Sequence, residues 1–258
     1  MKILIVNDDG IYSEGIYYLW KNLKEEHEIE IVAPLHEQSA ASHSITLFQP
    51  FRFAKIKRKE GFTGWAVEGT PADSVKIALS YLFENEEFDC IISGINKGYN
   101  TSNNILYSGT VSAATEGYLA NIPSLAVSTS FEGDYLDEIS EFIKKFMGIW
   151  IDSEFFNSNV LLNINYPNVS KENIKGIKFT SQGKSFYKTK LEKRKDPMGK
   201  NYYWYKGDFK IDKNKNSDDR AIYEKYISIS PLKFDLTDYD SLSKMKKEKG
   251  EIWKKLRY

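Results

Sequence analysis

Short apolar runs alternate with amphipathic stretches from the first residues of the chain. Ile3 to Val6 reads as a strand, and Ile16, Leu19, Trp20 and Leu23 then fall at i, i+3, i+4 and i+7, one face of a helix. Ile29 to Ala33 is a second apolar run of strand length. Continuous apolar runs between amphipathic segments predict an α/β fold: a mostly parallel sheet, buried on both faces by flanking helices.

The same reading extends down the chain. Leu47 to Lys57 and Thr63 to Val67 are richer in aromatic and β-branched residues and predict an antiparallel excursion. Thr70 before Pro71 marks a helix start, with Val75, Leu79 and Leu82 continuing its apolar stripe. Cys90 to Ile92 is the third core strand, followed by a polar, Gly- and Asn-rich loop from Gly94 to Tyr107; loops of that length are usually functional. A helix of small residues runs from near Gly109 to near Asn121-Ile122-Pro123, and Leu125 to Val127, a helix from about Tyr135 to Trp150, and Val160 to Ile164 complete the alternation.

Beyond Pro167 the character changes. Lys184 to Asp212 is densely charged yet carries Tyr187, Tyr202, Tyr203, Trp204 and Tyr205, the composition of a projecting β-hairpin arm whose aromatics need a covering surface. Tyr226 to Ile229 resembles a returning strand, and Leu242 to Leu256 a Lys-rich helical tail. These readings divide the chain into a main domain, 1–183, and a C-terminal arm, strand and tail, 184–258, that serve oligomerisation. No internal repeat is present.

Composition narrows the partners. Lys plus Arg and Asp plus Glu both number 36, so no net field draws the chain to a nucleic-acid polymer or an anionic membrane. The single Cys90 sits in an apolar run, a buried structural thiol suited to a reducing compartment. The opening Met1-Lys2-Ile3-Leu4-Ile5-Val6 is too short for a secretory apolar region, and no run approaches the ~18 apolar residues of a membrane span. A cytoplasmic location is expected.

Candidate chemistry collects at strand ends, where ligands of open parallel sheets bind. Asp8-Asp9, directly after the first strand, make a hard oxygen-donor site that favours Mg²⁺ or Mn²⁺ over zinc; taken alone, the same residues read more readily as a solvated Asp-Gly turn. Asn96 in Ser93-Gly94-Ile95-Asn96 and Ser39 after the second strand could bring neutral oxygens to the same crevice, or be plain turn formers. Ser108-Gly109-Thr110 opens the small-residue helix, whose unpaired N–H groups and dipole would suit phosphate, though an ordinary Ser N-cap has the same look. His27, expected on the surface, His36 and His43 are too scattered for a metal cluster, and His43 could serve either phosphate or structure.

Read in order, these motifs resemble one family. They are Asn7-Asp8-Asp9-Gly10, Ala33-Pro34, Gln38-Ser39-Ala40, Ser44-Ile45-Thr46, Gly69-Thr70-Pro71-Ala72-Asp73 and Ser93-Gly94-Ile95-Asn96-Lys97-Gly98-Tyr99-Asn100. Tyr107-Ser108-Gly109-Thr110-Val111, Glu116-Gly117, Asn163-Ile164-Asn165, Ser217-Asp218 and Ile227-Ser228-Ile229-Ser230-Pro231-Leu232 continue the series. The pattern is similar to the SurE survival-protein family over residues 1 to about 232. The resemblance implies a Rossmann-like domain with a projecting arm, and hydrolysis of nucleoside 5′- and 3′-monophosphates and sometimes short polyphosphate. It implies one divalent ion per subunit, Mg²⁺ or Mn²⁺, on Asp8, Asp9, Ser39 and Asn96, with catalysis by Asp8, Asn96 and Ser108. Substrate would meet Asn7, Ser108, Gly109 and Thr110. Independently of the resemblance, the aromatics of the 184–212 arm call for cover by another subunit and predict a homodimer or dimer of dimers. Where that pattern leads one to expect a basic residue before Gln38-Ser39, this chain carries Leu35-His36-Glu37.

Two competing readings remain at this level. Paired carboxylates after a first strand also resemble a phosphoacceptor receiver, although the third core strand ends in Ser93-Gly94 rather than in an acceptor Asp. A nucleotide-binding module without turnover would use the same groups.

Overall fold

Strict alternation along Ile3-Leu4-Ile5-Val6 sends side chains to opposite faces of the sheet, so one strand serves two helical layers. The computed structural model describes residues 1–154 and 156–248. The chain runs β1 (Lys2–Val6), α1 (Glu14–Leu23), β2 (Glu28–Pro34), β3 (Phe53–Lys57), β4 (Thr63–Val67), α2 (Pro71–Ile77), β5 (Cys90–Lys97), α3 (Gly109–Leu119), β6 (Ser124–Thr129) and α4 (Leu136–Trp150). It continues as β7 (Leu161–Asn165), β8 (Ile177–Phe179), β9 (Phe186–Lys195), β10 (Asn201–Lys210), α5 (Asp218–Tyr223), β11 (Ile227–Leu232) and α6 (Tyr239–Lys247).

Nine strands form one sheet in the order β3-β4-β2-β1-β5-β6-β7-β11-β8. The six strands from β4 to β7 are parallel neighbours; β3 is antiparallel to β4, and β11 is antiparallel to β7. Ile3, Ile5, Ile31 and Ile92 pack on one side with Ile16, Leu19 and Leu23 of α1 and Ile139, Ile143 and Met147 of α4. Leu4, Val6, Val32 and Ile91 pack on the other with Val75 and Ile77 of α2 and Ala113 of α3. Each of these large side chains contributes about 1.5–3 kcal/mol by leaving water. The order reverses at β1, whose neighbours β2 and β5 are reached by connections leading in opposite directions, so the crevice between the carboxyl ends of β1 and β5 is the switch point.

Local sequence explains the helix starts. Thr70 and Asp73 form a reciprocal capping box, Thr70 Oγ1 accepting from Asp73 N at 3.1 Å and Asp73 Oδ2 from Thr70 N at 2.9 Å, with Pro71 at the first helical position. Asp73 also accepts from Thr46 N at 3.0 Å and Thr46 Oγ1 at 2.6 Å, which ties the long loop after β2 to this helix.

The structure corrects several expected boundaries. The antiparallel excursion begins only at Phe53; Leu47 and Phe48 lie outside any strand, exposed and without a partner strand beside them. The third core strand does not stop at Ile92: it runs to Lys97, because a register shift against β6 between Ser93 and Asn96 lets pairing resume. β8 and α5, of three and six residues, are too short for a periodic signal and were not anticipated. The returning strand runs to Leu232, one side paired with β7 and the other with β8. The tail helix starts at Tyr239, and residues 249 to 256 of the expected helix lie outside the described residues. His27 is half-buried, and burial pushes its imidazole pKa down. Cys90 is fully buried and unpaired.

Candidate active site at the switch point

The turn that follows β1 is built by Asn7. Its side chain is fully buried, and Nδ2 donates to Gly10 O at 3.0 Å and to Ser13 Oγ at 2.6 Å, closing a loop in which Gly10 takes a left-handed φ of 90°. Asn7 thereby presents Asp8 and Asp9 and does not itself open onto the crevice.

Asp8 is 4% exposed. Thr110 Oγ1, in the first turn of α3, donates to Asp8 Oδ1 at 2.6 Å, so the carboxylate lies across the positive end of that helix. Desolvation nonetheless raises the Asp8 pKa. Asp9 accepts from Lys97 N at 3.2 Å, and desolvation followed by repulsion from Asp8 raises its pKa to about 7. Two adjacent carboxylates whose charged forms burial disfavours make a candidate cation site.

The neutral donors arrive from the neighbouring strands. Gln38 N donates to Asp8 O at 2.8 Å, and Ser42 to Tyr107 O at 3.1 Å and Leu106 O at 2.7 Å, so the loop after β2 is pinned against the turn after β1 and the segment just before α3, and carries Ser39 into the crevice. Ala40 and Ser42 sit at left-handed φ of 58° and 55° in this loop, conformations that cost about 1 kcal/mol or more each and persist because the pinning contacts over-determine them. Ser39 Oγ donates to Glu37 Oε1 at 2.5 Å, leaving its lone pairs available. Asn96 Nδ2 is spent on Gly98 O at 2.6 Å, which turns the amide oxygen to be the free end. Asp8, Ser39, Asn96 and Ser108 line a common crevice of about 300 Å³ with Lys97 at its wall. Ser108 caps α3, Oγ accepting from Val111 N at 3.0 Å, with Gly109 and Thr110 forming its first turn.

Among the described residues no cluster of three or more His, Cys, Asp or Glu side chains is poised for a metal. Asp8, Asp9, Ser39 and Asn96 could offer two carboxylates, a hydroxyl and an amide oxygen, a set that suits a hard octahedral ion such as Mg²⁺ or Mn²⁺ better than zinc.

Behind Thr110 lies a buried amide ladder. Asn100 Nδ2 donates to Thr110 Oγ1 at 3.3 Å and to Ser128 Oγ at 2.8 Å. Asn100 N donates to Asn165 Oδ1 at 2.9 Å, while Asn163 Nδ2 and Asn165 Nδ2 donate to Asn100 O at 2.7 and 3.2 Å. All five members of this chain of contacts, Asn100, Thr110, Ser128, Asn163 and Asn165, are buried, and none of the three Asn roles was legible in the sequence beyond motif membership. Gly109 shows how tightly the site is packed: a Cβ there would lie 2.8 Å from Asp8 Cβ and 3.1 Å from Asp8 Oδ2. Gly109→Ala is expected to displace that carboxylate and lower turnover about a hundredfold, in the range set by ångström misplacements of catalytic groups, with an unchanged circular dichroism spectrum. A variant within about twofold of wild type would show the carboxylate tolerates displacement.

His43 stands apart from the crevice. Its Nε2 pairs with Glu116 Oε1 at 2.7 Å and its ring meets Phe234 edge-on, while Lys76 Nζ pairs with Glu116 Oε2 at 2.8 Å. Burial works to raise the Glu116 pKa, but the His43 and Lys76 hydrogen bonds outweigh it and hold the carboxyl low. This contact joins the long loop that carries His43 to α3. Glu37, where a basic residue was expected, adds further negative charge near Asp8 and Asp9. The receiver reading lapses, since the end of β5 offers Ser93 and Asn96 and no acceptor carboxylate.

A doubly wound α/β protein with a carboxylate-, hydroxyl- and amide-lined crevice at a helix N-terminus is the class that this fold and site define. The family model described as Survival protein SurE matches residues 3–189. The chain is 43% identical to 5'-nucleotidase SurE of Caldanaerobacter subterraneus subsp. tengcongensis, covering 97% of this chain and 98% of that one, and 41% identical to 5'-nucleotidase SurE of Alkaliphilus metalliredigens, covering 95% and 98%. The crystal structure of the SurE protein from Aquifex aeolicus superposes with a TM-score of 0.81 at 35% identity, covering 96% of this chain and 99% of that one. The chain belongs to the SurE family.

Proposed function

We propose that this protein is a metal-dependent phosphomonoesterase that hydrolyses nucleoside 5′- and 3′-monophosphates to nucleoside and phosphate, with short polyphosphate as a further substrate. The observation that carries the reading is the desolvated Asp8–Asp9 pair pinned under the start of α3. The names of the relatives, each a 5'-nucleotidase SurE, support the same substrate class. One Mg²⁺ or Mn²⁺ per subunit, held by Asp8, Asp9, Ser39 and Asn96, would polarise a phosphoryl oxygen and lower the pKa of water at the site. Ser108 and the first turn of α3, with Gly109 and Thr110, would hold the phosphate and stabilise the charge that develops on it. Lys97 adds a cation at the crevice wall. Thr110 orients Asp8 and works against the desolvation of its charged form, and the amide ladder keeps Thr110 in place.

Phosphate release from a nucleoside-monophosphate panel, with manganese, with magnesium and with chelator, tests the reading; activity undiminished in chelator would overturn it. Monophosphates should be cleaved far faster than internal phosphodiesters, because a zero net charge supplies no track for a polymer backbone. Comparable rates on AMP and on a long oligonucleotide would contradict this.

We further propose that the chain assembles as a homodimer or dimer of dimers through residues 184–212, and that it resides in the cytoplasm, where the unpaired Cys90 stays reduced. No helix among the described residues is long and apolar enough to cross a membrane. β9 and β10 pair only with each other, and a lone two-stranded ribbon is marginal in water. Tyr203, Trp204, Tyr205 and Leu191 on it are 56%, 58%, 84% and 62% exposed, more apolar surface than such a ribbon leaves uncovered. Light scattering should give a multiple of the 29.8 kDa chain mass, falling toward the monomer in Trp204→Lys; a wild-type monomer at micromolar concentration would sink the idea.

A further inference from the structure

Ser217-Asp218 adds nothing to the donor set of the crevice, yet Asp218 is fully buried. Its carboxylate is spent on backbone amides from separate segments of the chain. Oδ2 accepts from Ser102 N at 2.9 Å, while Oδ1 accepts from Gly183 N at 3.0 Å, Asp219 N at 2.8 Å and Ser102 Oγ at 3.3 Å. Ser102 opens the 3₁₀ turn Ser102–Tyr107, which leads into the Ser108 cap of α3. Gly183 lies at the root of the arm, just before β9. Gln182 Nε2 donates to Ser102 O at 3.0 Å, so all three polar groups of Ser102 are engaged at this one junction. Both ends of the arm meet there as well: Asp219 Oδ2 accepts from Ser185 Oγ and, at 3.3 Å, from Asp212 N, and Asp212 Oδ2 accepts from Lys184 N at 2.8 Å. The junction is tightly packed, since a Cβ on Gly183 would collide with Ser102 Oγ and lie 2.5 Å from Asp219 Oδ1 and 2.9 Å from Asp218 Oδ1.

A buried carboxylate is costly unless its lone pairs are met, and here backbone amides meet them. Ser102 has a left-handed φ of 53°, a conformation that a serine keeps only where its surroundings over-determine it, as this junction does. Two positions before Ser102 stands Asn100, whose Nδ2 donates to Thr110 Oγ1, which in turn donates to Asp8 Oδ1. Asn100 is thus held from behind by Asn163 and Asn165 and from ahead by the anchored Ser102. We propose that Asp218 is a positioning residue for the candidate active site: by clamping the crevice loop to the root of the arm it fixes Asn100 and, through Thr110, the orientation of Asp8. The catalytic consequence rests on the phosphomonoesterase reading above; the clamp itself makes the root of the arm part of the support of the crevice.

Asp218→Asn keeps the size of the side chain but turns an NH₂ group toward amide donors. In the full chain with manganese it should lower kcat for AMP about tenfold, less than the loss from an ångström displacement of a catalytic group itself. Gln182→Ala removes an exposed side chain and frees only Ser102 O, and should lower kcat about threefold. In a Thr110→Ala background the contact with Asp8 is already gone, so Asp218→Asn should cost less than about twofold more. A loss of folded protein would multiply in both backgrounds, so a repeated tenfold loss would overturn the route through Thr110. Amide hydrogen exchange of the metal-free chain supplies a readout apart from activity: residues 99–104 should exchange about tenfold faster in Asp218→Asn and Gln182→Ala, with β1 and β6 at wild-type rates. Unchanged exchange at 99–104 in folded Asp218→Asn would overturn the clamp whether or not AMP is hydrolysed, and faster exchange with wild-type kcat would overturn its role in positioning. If Asp218→Asn does not fold, Gln182→Ala decides, and wild-type exchange and kcat in it would overturn the proposal. Faster local exchange in the variants of a chain whose wild type releases no phosphate would instead overturn the phosphomonoesterase reading alone.

Discussion

Asp8→Asn and Asp9→Asn are each expected to lower turnover about a thousandfold while the protein stays folded. Metal-derived stabilisation of the transition state is worth several kcal/mol, and each ~1.36 kcal/mol is a factor of ten. Asn keeps the shape of Asp and an oxygen to accept from Thr110 Oγ1, so the contact at α3 survives. What is lost is one of two negative charges that attract a divalent ion. Because burial and mutual repulsion already work against both carboxylates, removing one should leave the metal-free melting temperature equal or higher. Phosphate release at saturating manganese, paired with melts in manganese and in chelator, checks both halves. Retention of more than about a tenth of wild-type activity would show that the carboxylate is not needed for catalysis. A metal-free variant that melts early would mean the pair is structural, the plain Asp-Gly turn.

Stability of the metal-free protein should fall as pH rises, and the divalent ion should restore it. Asp9 has its pKa raised from the ordinary 3.8 to about 7. A carboxyl raised in this way contributes stability below its unfolded value, and that contribution disappears as pH climbs through the folded value. The loss therefore spans about pH 4 to 7 and is complete above it. Taken whole, the shift is worth about 4 kcal/mol, and partial solvation of Asp9 reduces this to about 2. A cation in the crevice supplies the opposite charge that the pair lacks. The gain in melting temperature on adding saturating manganese should thus grow from pH 5.5 to about pH 7 and level off above it. A gain that is flat or shrinks over that interval would show that the Asp8–Asp9 repulsion is not what the ion relieves. In Asp9→Asn the pH dependence of the metal-free melt should flatten, which separates this pair from other titrating groups.

The order of elements, the layers and the location of the chemistry were legible in residue patterning, and the physical reason is local. A strand buried on both faces must be apolar at consecutive positions, as Ile3-Leu4-Ile5-Val6 and Ile91-Ile92 are, and a surface helix must carry a stripe, as Ile16, Leu19 and Leu23 do. Thr70-Pro71 announced a helix start because capping involves residues three apart in sequence. Asp8-Asp9, Ser39, Asn96 and Ser108 could be named because a parallel sheet delivers its ligands at strand ends and helix starts, both visible as breaks in apolar runs.

Tertiary structure alone decided what each of those residues does. Asn7 looked like part of the site and proves to hold the turn, since only the folded loop brings Gly10 O and Ser13 Oγ within reach of its amide. The contact of His43 with Glu116, 73 residues away, exists only in the folded chain. The extension of β5 to Lys97 depends on β6 alongside it, and the Asn100, Asn163 and Asn165 ladder on strands and loops more than sixty residues apart. Hydrogen bonds, charge repulsion and desolvation act through space, and periodicity reports only which face of an element is dry. The sequence by itself therefore determined the layers and the crevice; which groups line it, which lie behind it, and how strongly its carboxylates resist ionisation were set by packing between distant segments.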